Sequence, residues 1–127
     1  MINNNTLPNG EHLCQIEDIF NDSRGWVFAL DICKGKYKDY FKNRDDMHFL
    51  YFPNDKVEPE LVSIVNAVMK VNPDFLTGKV FKSMGELLDA LVGEKMMVNF
   101  ITVERIHPVT NRRIKVLTGI YDDREDK

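Results

Sequence analysis

The stretch PELVSIVNAVM, residues 59–69, decides how this chain is organised, because the period of the hydrophobic pattern changes there. Its apolar residues recur three and four positions apart, which predicts one face of an amphipathic helix. Pro59 fits the first turn of such a helix, and Asn72-Pro73 ends it. The residues of the apolar face are Leu61, Ile64, Val65, Val68 and Met69.

A second, shorter helix is predicted to begin at Ser83. Ser83 and Glu86 have the spacing of a capping box, in which each side chain accepts a hydrogen bond from a backbone N–H at the start of the helix. Gly93 suits the position just past the helix end. Its apolar face consists of Leu87, Leu88 and Leu91.

Working outward from these helices, the pattern predicts three strands before them and two after them. The first three are residues 11–20, 26–33 and 47–52, and the last two are 95–105 and 112–121. The apolar residues of the first strand do not keep a two-residue period, so we expect a bulge or a local twist there.

The order β-β-β-α-α-β-β is the order of an OB-type barrel, which has five strands and a helical insert between strands three and four. The alternative is an α+β fold, in which the helices cover one face of a sheet. In the barrel interpretation the two helices close one end of the barrel and contain many of the acidic residues.

The chain of 127 residues has room for one domain, 1–127, with a loose lead-in at 1–6 and an acidic tail at 122–127 that we expect to be mobile. The net charge of −3 argues against a generally basic nucleic-acid coat. The sequence contains neither an apolar run long enough to span a membrane nor a signal peptide. We therefore expect a cytoplasmic protein whose two cysteines, Cys14 and Cys33, are reduced.

Catalytic patterns are missing from the sequence. The histidines His12, His48 and His107 have no metal-ligand spacing, and neither a phosphate-binding loop nor a nucleophile elbow is present. The only E-x-K that could complete a nuclease motif is at 125–127, at the chain end. We expect a protein without enzymatic activity, metal or cofactor.

Residues 34–44 combine five cations, one acid and three aromatic residues. Cations can contact phosphates, and rings can stack on unpaired bases. The alternative for the rings is that they pack under the loop as part of the core. The candidate nucleic-acid contacts of this segment are Lys34, Lys36, Tyr37, Lys38, Tyr40, Phe41, Lys42 and Arg44.

A second basic segment spans the predicted hairpin at 105–115, which contains no acid. In OB-type barrels the loop between strands four and five flanks the binding face. Trp26 and Phe28 could also stack on bases, although aromatic residues on strands are more often core, and the same holds for Phe49 and Tyr51. We include Trp26 among the candidates. The cationic candidates of the hairpin are Arg105, Arg112, Arg113 and Lys115.

Four short motifs resemble a family of small phage and prophage proteins: LPNGE at 7–11, GW at 25–26, GKYKDYF at 35–41 and LVGEK at 91–95. The resemblance implies an OB-fold protein that binds single-stranded DNA, encoded among recombination and replication genes. It also implies a bacterial host cytoplasm and phage recombination or replication proteins as partners. The last hairpin departs from the family pattern, because it has Pro108 and Asn111 where a glycine-rich turn is common.

The sequence therefore predicts sequence-tolerant binding of single-stranded DNA. The alternative is a protein–protein adaptor of phage origin that does not bind nucleic acid. Binders of the first class often dimerise, so the prediction leaves open whether the protein is a monomer or a homo-oligomer.

Overall fold

The computed structural model describes residues 7–121, and the predictions for 1–6 and 122–127 lie outside these residues. The predicted element order is confirmed. A short 3₁₀ turn, Lys42–Arg44, is the one described element that the pattern did not predict. The strands and helices are β1 Gly10–Asp22, β2 Gly25–Ile32, β3 His48–Pro53, α1 Val57–Val71, α2 Met84–Leu91, β4 Lys95–Ile106 and β5 Arg113–Ile120.

All five strands form one antiparallel sheet in the order β3-β2-β1-β4-β5. The long strand β1 lies at its centre and pairs with both β2 and β4. The register between β1 and β2 shifts between Ile16 and Asp18, which confirms the predicted irregularity. A bulge of this kind bends a strand and increases its twist, so β1 can take part in two differently oriented halves of the sheet.

The two edge strands, β3 and β5, approach each other without backbone pairing among residues 7–121. A Cβ atom placed on Gly119 of β5 would come within 2.9 Å of the His48 ring of β3. Further along, the rings of Phe52 and Tyr121 are 6.3 Å apart. The fold is thus mainly β, with a five-stranded antiparallel sheet and two helices, and the sheet is not closed.

Both helices pack on the inner face of the sheet, as their apolar faces predict. Leu61, Ile64 and Val68 of α1 are buried in the same core as Leu88 and Leu91 of α2. The inner residues of the strands complete this core and include Ile16, Phe28, Leu30, Met96, Val98 and Phe100.

The start of α2 differs slightly from the predicted capping box. The Glu86 N–H donates to the Ser83 hydroxyl at 3.2 Å, as expected for an N-cap serine. The Glu86 carboxylate, however, accepts from the N–H of Lys82, one residue before the cap. Gly93 has a φ of 94°, which confirms the predicted left-handed residue after the helix. Neither helix between residues 7 and 121 is long and apolar enough to cross a membrane.

Candidate nucleic-acid interface

The basic loop, residues 34–44, is held to the end of β2 by one buried carboxylate. Asp31 is completely buried, and its side chain accepts hydrogen bonds from three backbone N–H groups. Oδ1 accepts from Ile32 at 2.8 Å and from Phe41 at 3.0 Å, and Oδ2 accepts from Lys42 at 3.1 Å. Because two of these donors belong to the loop, Asp31 fixes its position relative to the sheet.

The aromatic residues of the basic loop pack against the protein. The Phe41 side chain is 8% exposed and its ring lies 5.7 Å from that of Phe100, so it presents no ring face to a base. The Tyr40 hydroxyl accepts a hydrogen bond from the Leu7 N–H. Tyr37 packs edge-on against His12 with the ring centres 5.6 Å apart. The alternative, that the rings pack as part of the core, therefore holds for Phe41. Tyr37 and Tyr40 are half-buried, so it holds for them only in part.

Trp26 is also placed by packing. It is half-buried on β2 and contacts the hydrophobic core. Its neighbours on the same face, Phe28, Leu30 and Ile32, are fully buried. Trp26 is therefore not part of the candidate interface.

The cations of the basic loop all lie on the surface, in three different environments. Lys34 and Lys38 are exposed. The Lys42 ammonium lies 3.2 Å from Glu17 and 3.8 Å from Asp39, and its hydrogen bond to Glu17 raises the pKa of the lysine. Two further cations cover rings of the loop, Lys36 over Tyr37 at 5.6 Å and Arg44 over Tyr40 at 4.2 Å.

The second basic segment forms the outer part of a β-hairpin that we call the arm, residues 101–118. Strands β4 and β5 remain paired from Asn99 to Ile106, whereas the pairing of β4 with β1 ends at Phe100. The four predicted cations of the arm are exposed, and Arg113 lies 3.8 Å from Glu104. An ion pair this exposed contributes little to stability, so the guanidinium can exchange Glu104 for another anion.

The structure brings the two basic segments to the same end of the sheet. The basic loop runs along one side of the start of β1, where the Cys33 N–H donates to Leu13. The arm leaves from the other side, where the Thr102 N–H donates to the Asn9 side chain at 3.1 Å. Residues 7–13 therefore have a cation-rich segment on each side.

A surface that sequence reasoning undervalued lies on the outer face of β1, β2 and β3. Phe20, Phe49 and Tyr51 are 42%, 49% and 46% exposed, and we call them the aromatic face. Phe20 and Tyr51 lie on either side of Val27, and Phe49 lies beside Ala29. Val27 and Ala29 are buried and form the floor between the rings.

The aromatic face begins next to the basic loop. Phe49 lines a shallow depression together with Lys42, Asp45, Asp46 and Met47. One acid belongs to the aromatic face. Asp18 of β1 is paired with Ala29 of β2, and Ala29 is paired with Phe49 of β3, so the three residues form one row across the sheet. The aromatic face and its margin thus combine exposed rings with the cation Lys42 and the acids Asp18, Asp45 and Asp46.

The environment of the two cysteines disfavours thiol reactivity. Burial raises the pKa of the Cys14 thiol and also that of Cys33, so both resist forming the reactive thiolate. Both cysteines are free. Within residues 7–121, no group of three or more histidine, cysteine and acidic side chains could hold a metal ion.

His48 makes stability depend on pH. Its ring lies 5.0 Å from Phe100, and burial lowers its pKa from the ordinary 6.5. The unfolded chain then binds more protons than the folded protein below pH 6.5, so we expect stability to fall as pH drops below that value. Urea unfolding between pH 7.5 and 5.5 measures this, and His48→Leu should flatten the decline. An unchanged slope in His48→Leu would contradict the prediction.

A second concave surface lies on the helical side, and neither the basic loop nor the arm lines it. It is an apolar groove of about 450 Å³ between α1 and the segment leading into α2. Val62 and Leu76 on its wall are substantially exposed. Its lining includes Leu61, Val62, Val65, Leu76, Phe81 and Met84.

A scan against protein-family models finds no match, and a search of curated proteins finds no similar sequence. Function is therefore inferred from the residues of the interface itself. The resemblance to the phage family stays a prediction.

Proposed function

We propose that this protein binds single-stranded DNA with little sequence preference, and that the strand runs from the basic loop onto the aromatic face. The observation that carries the proposal is the position of Phe49. Its half-exposed ring lies beside Lys42 at the end of the basic loop and begins the aromatic face. Single-stranded binders combine these two features, cations that follow the backbone and rings that stack on the bases.

The spacing of the aromatic face suits successive bases. Phe49 and Tyr51 lie on the same side of β3, two residues and about 6.6 Å apart along the strand. Phe20 extends the face across Val27 onto β1. Every base has a π-face, so stacking on these rings requires no particular sequence.

The topology supports an OB-type interpretation of the domain. Neighbours in the sheet follow the order of that barrel, and the contacts His48–Gly119 and Phe52–Tyr121 run in the same direction along β3 and β5. OB-type barrels bind oligonucleotides on the face of strands two and three and on the loops between strands one and two and between four and five. In this chain Phe49 and Tyr51 lie on β3 beside Ala29 and Val27 of β2, and the arm connects β4 to β5.

The net charge of −3 is compatible with this partner because the charges are unevenly distributed. The basic loop and the arm are cation-rich, whereas α1 and α2 contain Glu58, Glu60, Glu86 and Asp89. The proposed role is non-catalytic. The motif resemblance adds the proposed setting, phage or prophage replication or recombination in the cytoplasm of a bacterial host, with proteins of those processes as partners.

Fluorescence anisotropy with labelled single- and double-stranded oligonucleotides at two or more salt concentrations tests the proposal. We expect the single strand to bind more tightly and its affinity to fall with salt. Lys34→Glu combined with Lys38→Glu removes two phosphate contacts, so the logarithmic salt slope should become shallower by about 1.4. Absence of single-strand binding at low salt would end the proposal.

The matched control is Lys79→Glu combined with Lys82→Glu. These lysines are exposed on the connection between the helices, and the double change alters the net charge by the same amount. Affinity and salt slope should stay close to the wild type. An equal loss in both double variants would mean that overall charge, and not the basic loop, governs binding.

Asp18 provides a gain-of-affinity test. Its carboxylate is exposed in the row that contains Phe49, so it repels a phosphate backbone crossing the face. Asp18→Asn should tighten single-strand binding several-fold at low salt and less at high salt, because salt screens exposed charges. The same change at Asp89, on α2, should have no effect. A weaker or unchanged complex with Asp18→Asn would place the strand elsewhere.

A second candidate function is a protein–protein adaptor without nucleic-acid binding, and the observation that favours it is the apolar groove beside α1. Exposed apolar surfaces of this kind mark interaction sites. Val62→Glu separates the candidates, because Val62 lies on the groove wall and outside the proposed DNA path. Under the primary proposal this variant binds single-stranded DNA like the wild type.

A further inference from the structure

The arm projects well beyond the part of the sheet that supports it. Six cross-strand pairs, from Ile101 opposite Thr118 to Ile106 opposite Arg113, lie past the last pair between β1 and β4. At about 3.4 Å per residue this is a two-stranded ribbon of roughly 20 Å. No residue of the arm within 101–118 is buried.

The tip of the arm is organised by hydrogen bonds. The His107 Nδ1 atom accepts from the N–H groups of Val109 and Thr110, both at 3.2 Å. The His107 N–H donates to the Arg112 carbonyl, and the Asn111 N–H donates to the His107 carbonyl. Asn111 has the left-handed conformation that closes the turn. The tip thus presents a fixed shape.

This ordered tip exposes apolar side chains among cations. Val109 is 84% exposed and Ile106 is 62% exposed, with Pro108 between them in sequence. The arm contains four cations and a single acid, Glu104, between residues 101 and 118. An apolar tip on a cationic ribbon fits a partner that offers phosphates along its length and a flat apolar surface at one end.

We propose that the arm recognises the junction between single- and double-stranded DNA. This inference rests on the proposed single-strand binding. The exposed cations of the ribbon contact the phosphates of the single strand, whose backbone runs along the ribbon. The tip residues Ile106 and Val109 pack against the exposed terminal base pair, where apolar side chains can act as wedges. The single strand then continues onto the basic loop and the aromatic face.

The charge of the arm favours DNA over a second copy of the chain. Two arms placed side by side would bring Arg105, Arg112 and Arg113 of each copy together, and like charges repel. DNA phosphates instead neutralise these cations, and counterions are released.

The test compares three labelled DNAs: a single strand, a blunt duplex, and a duplex with an overhang of the same length and sequence as the single strand. We expect the junction to bind at least about tenfold more tightly than the single strand. Ile106→Ser combined with Val109→Ser should bring the junction and the single strand to within about twofold of each other. Its single-strand affinity should stay within twofold of the wild type, and Val80→Ser, an equally exposed position on the helical side, should preserve the preference.

A fluorescent adenine analogue in the terminal base pair gives a second readout, since packing of the tip should change its emission with the wild type and not with the double variant. Circular dichroism checks the fold of the variants. Equal affinity of the wild type for junction and single strand would overturn the inference and leave the proposed function standing. Binding to none of the three DNAs would overturn both. A wild-type dimer in light scattering that the double variant loses would also overturn the inference, by assigning the tip to a second copy.

Discussion

Replacing Phe49 and Tyr51 together with alanine should weaken single-strand binding at least about 30-fold. Each stacked base contributes about 1–3 kcal/mol, so the loss of two rings corresponds to about 2 kcal/mol or more. Both side chains are nearly half exposed, and the core of β3 is formed by Leu50 and Phe52 on the opposite face. The double variant should therefore fold normally, and the loss should appear in binding.

The salt dependence distinguishes the role of these rings from that of the lysines. Neither ring carries charge, so Phe49→Ala with Tyr51→Ala should lower affinity equally at all salt concentrations and leave the slope unchanged. Leu76→Ala with Val80→Ala removes two exposed apolar side chains outside the proposed path and is the control. A slope that changes with the rings, or a loss of equal size in the control, would contradict the stacking role.

The element types could be predicted from sequence because they depend on local periodicity. The helix at Val57–Val71 follows from its i, i+3, i+4 pattern, and the irregularity of β1 follows from the broken alternation around Ile16. Local patterns also identified the two basic segments. Their placement on either side of residues 7–13 depends on strand pairing, which periodicity does not specify.

The aromatic face shows where the sequence is ambiguous. Residues 49–52 of β3 are all apolar, so alternation defines two faces without indicating which one is buried. The helices pack against the side of Leu50 and Phe52, and this tertiary contact leaves Phe49 and Tyr51 outside. The signal that could have found them is the absence of any charged residue on either face of a strand at the edge of the sheet.

The basic loop shows the opposite error, because rings that we predicted to stack on bases pack against the protein instead. Tyr37 packs against His12, Phe41 packs against Phe100, and the Tyr40 hydroxyl accepts from the Leu7 N–H. All three partners are distant in sequence. Composition identified the loop as cation-rich, but only the long-range contacts separate its exposed cations from its packed rings.

The completely buried Asp31 gives the largest expected effect on stability. Asp31→Ala should lower the free energy of unfolding by about 2–4 kcal/mol, because the buried N–H of Phe41 and the partly buried N–H of Lys42 lose their acceptor. Urea unfolding measures this loss. Hydrogen exchange at these two amides should accelerate beyond the global change, since the basic loop is released from β2. Single-strand affinity should fall as well, because the cations of the loop are no longer held in place.

Two control variants separate the anchoring role of Asp31 from the removal of a charge. Asp31→Asn can keep the acceptor oxygen that serves Ile32 and Phe41, and it loses only the bond from Lys42, so its destabilisation should be about half that of alanine. Asp46→Ala removes an exposed carboxylate that bonds only its neighbour Met47 among the described residues, and it should change stability by less than about 0.5 kcal/mol. If Asp31→Ala were no less stable than Asp46→Ala, the loop would be held by its packed rings alone. The position of the cations would then depend on Phe41 and its contacts, and the buried carboxylate would not contribute to the interface.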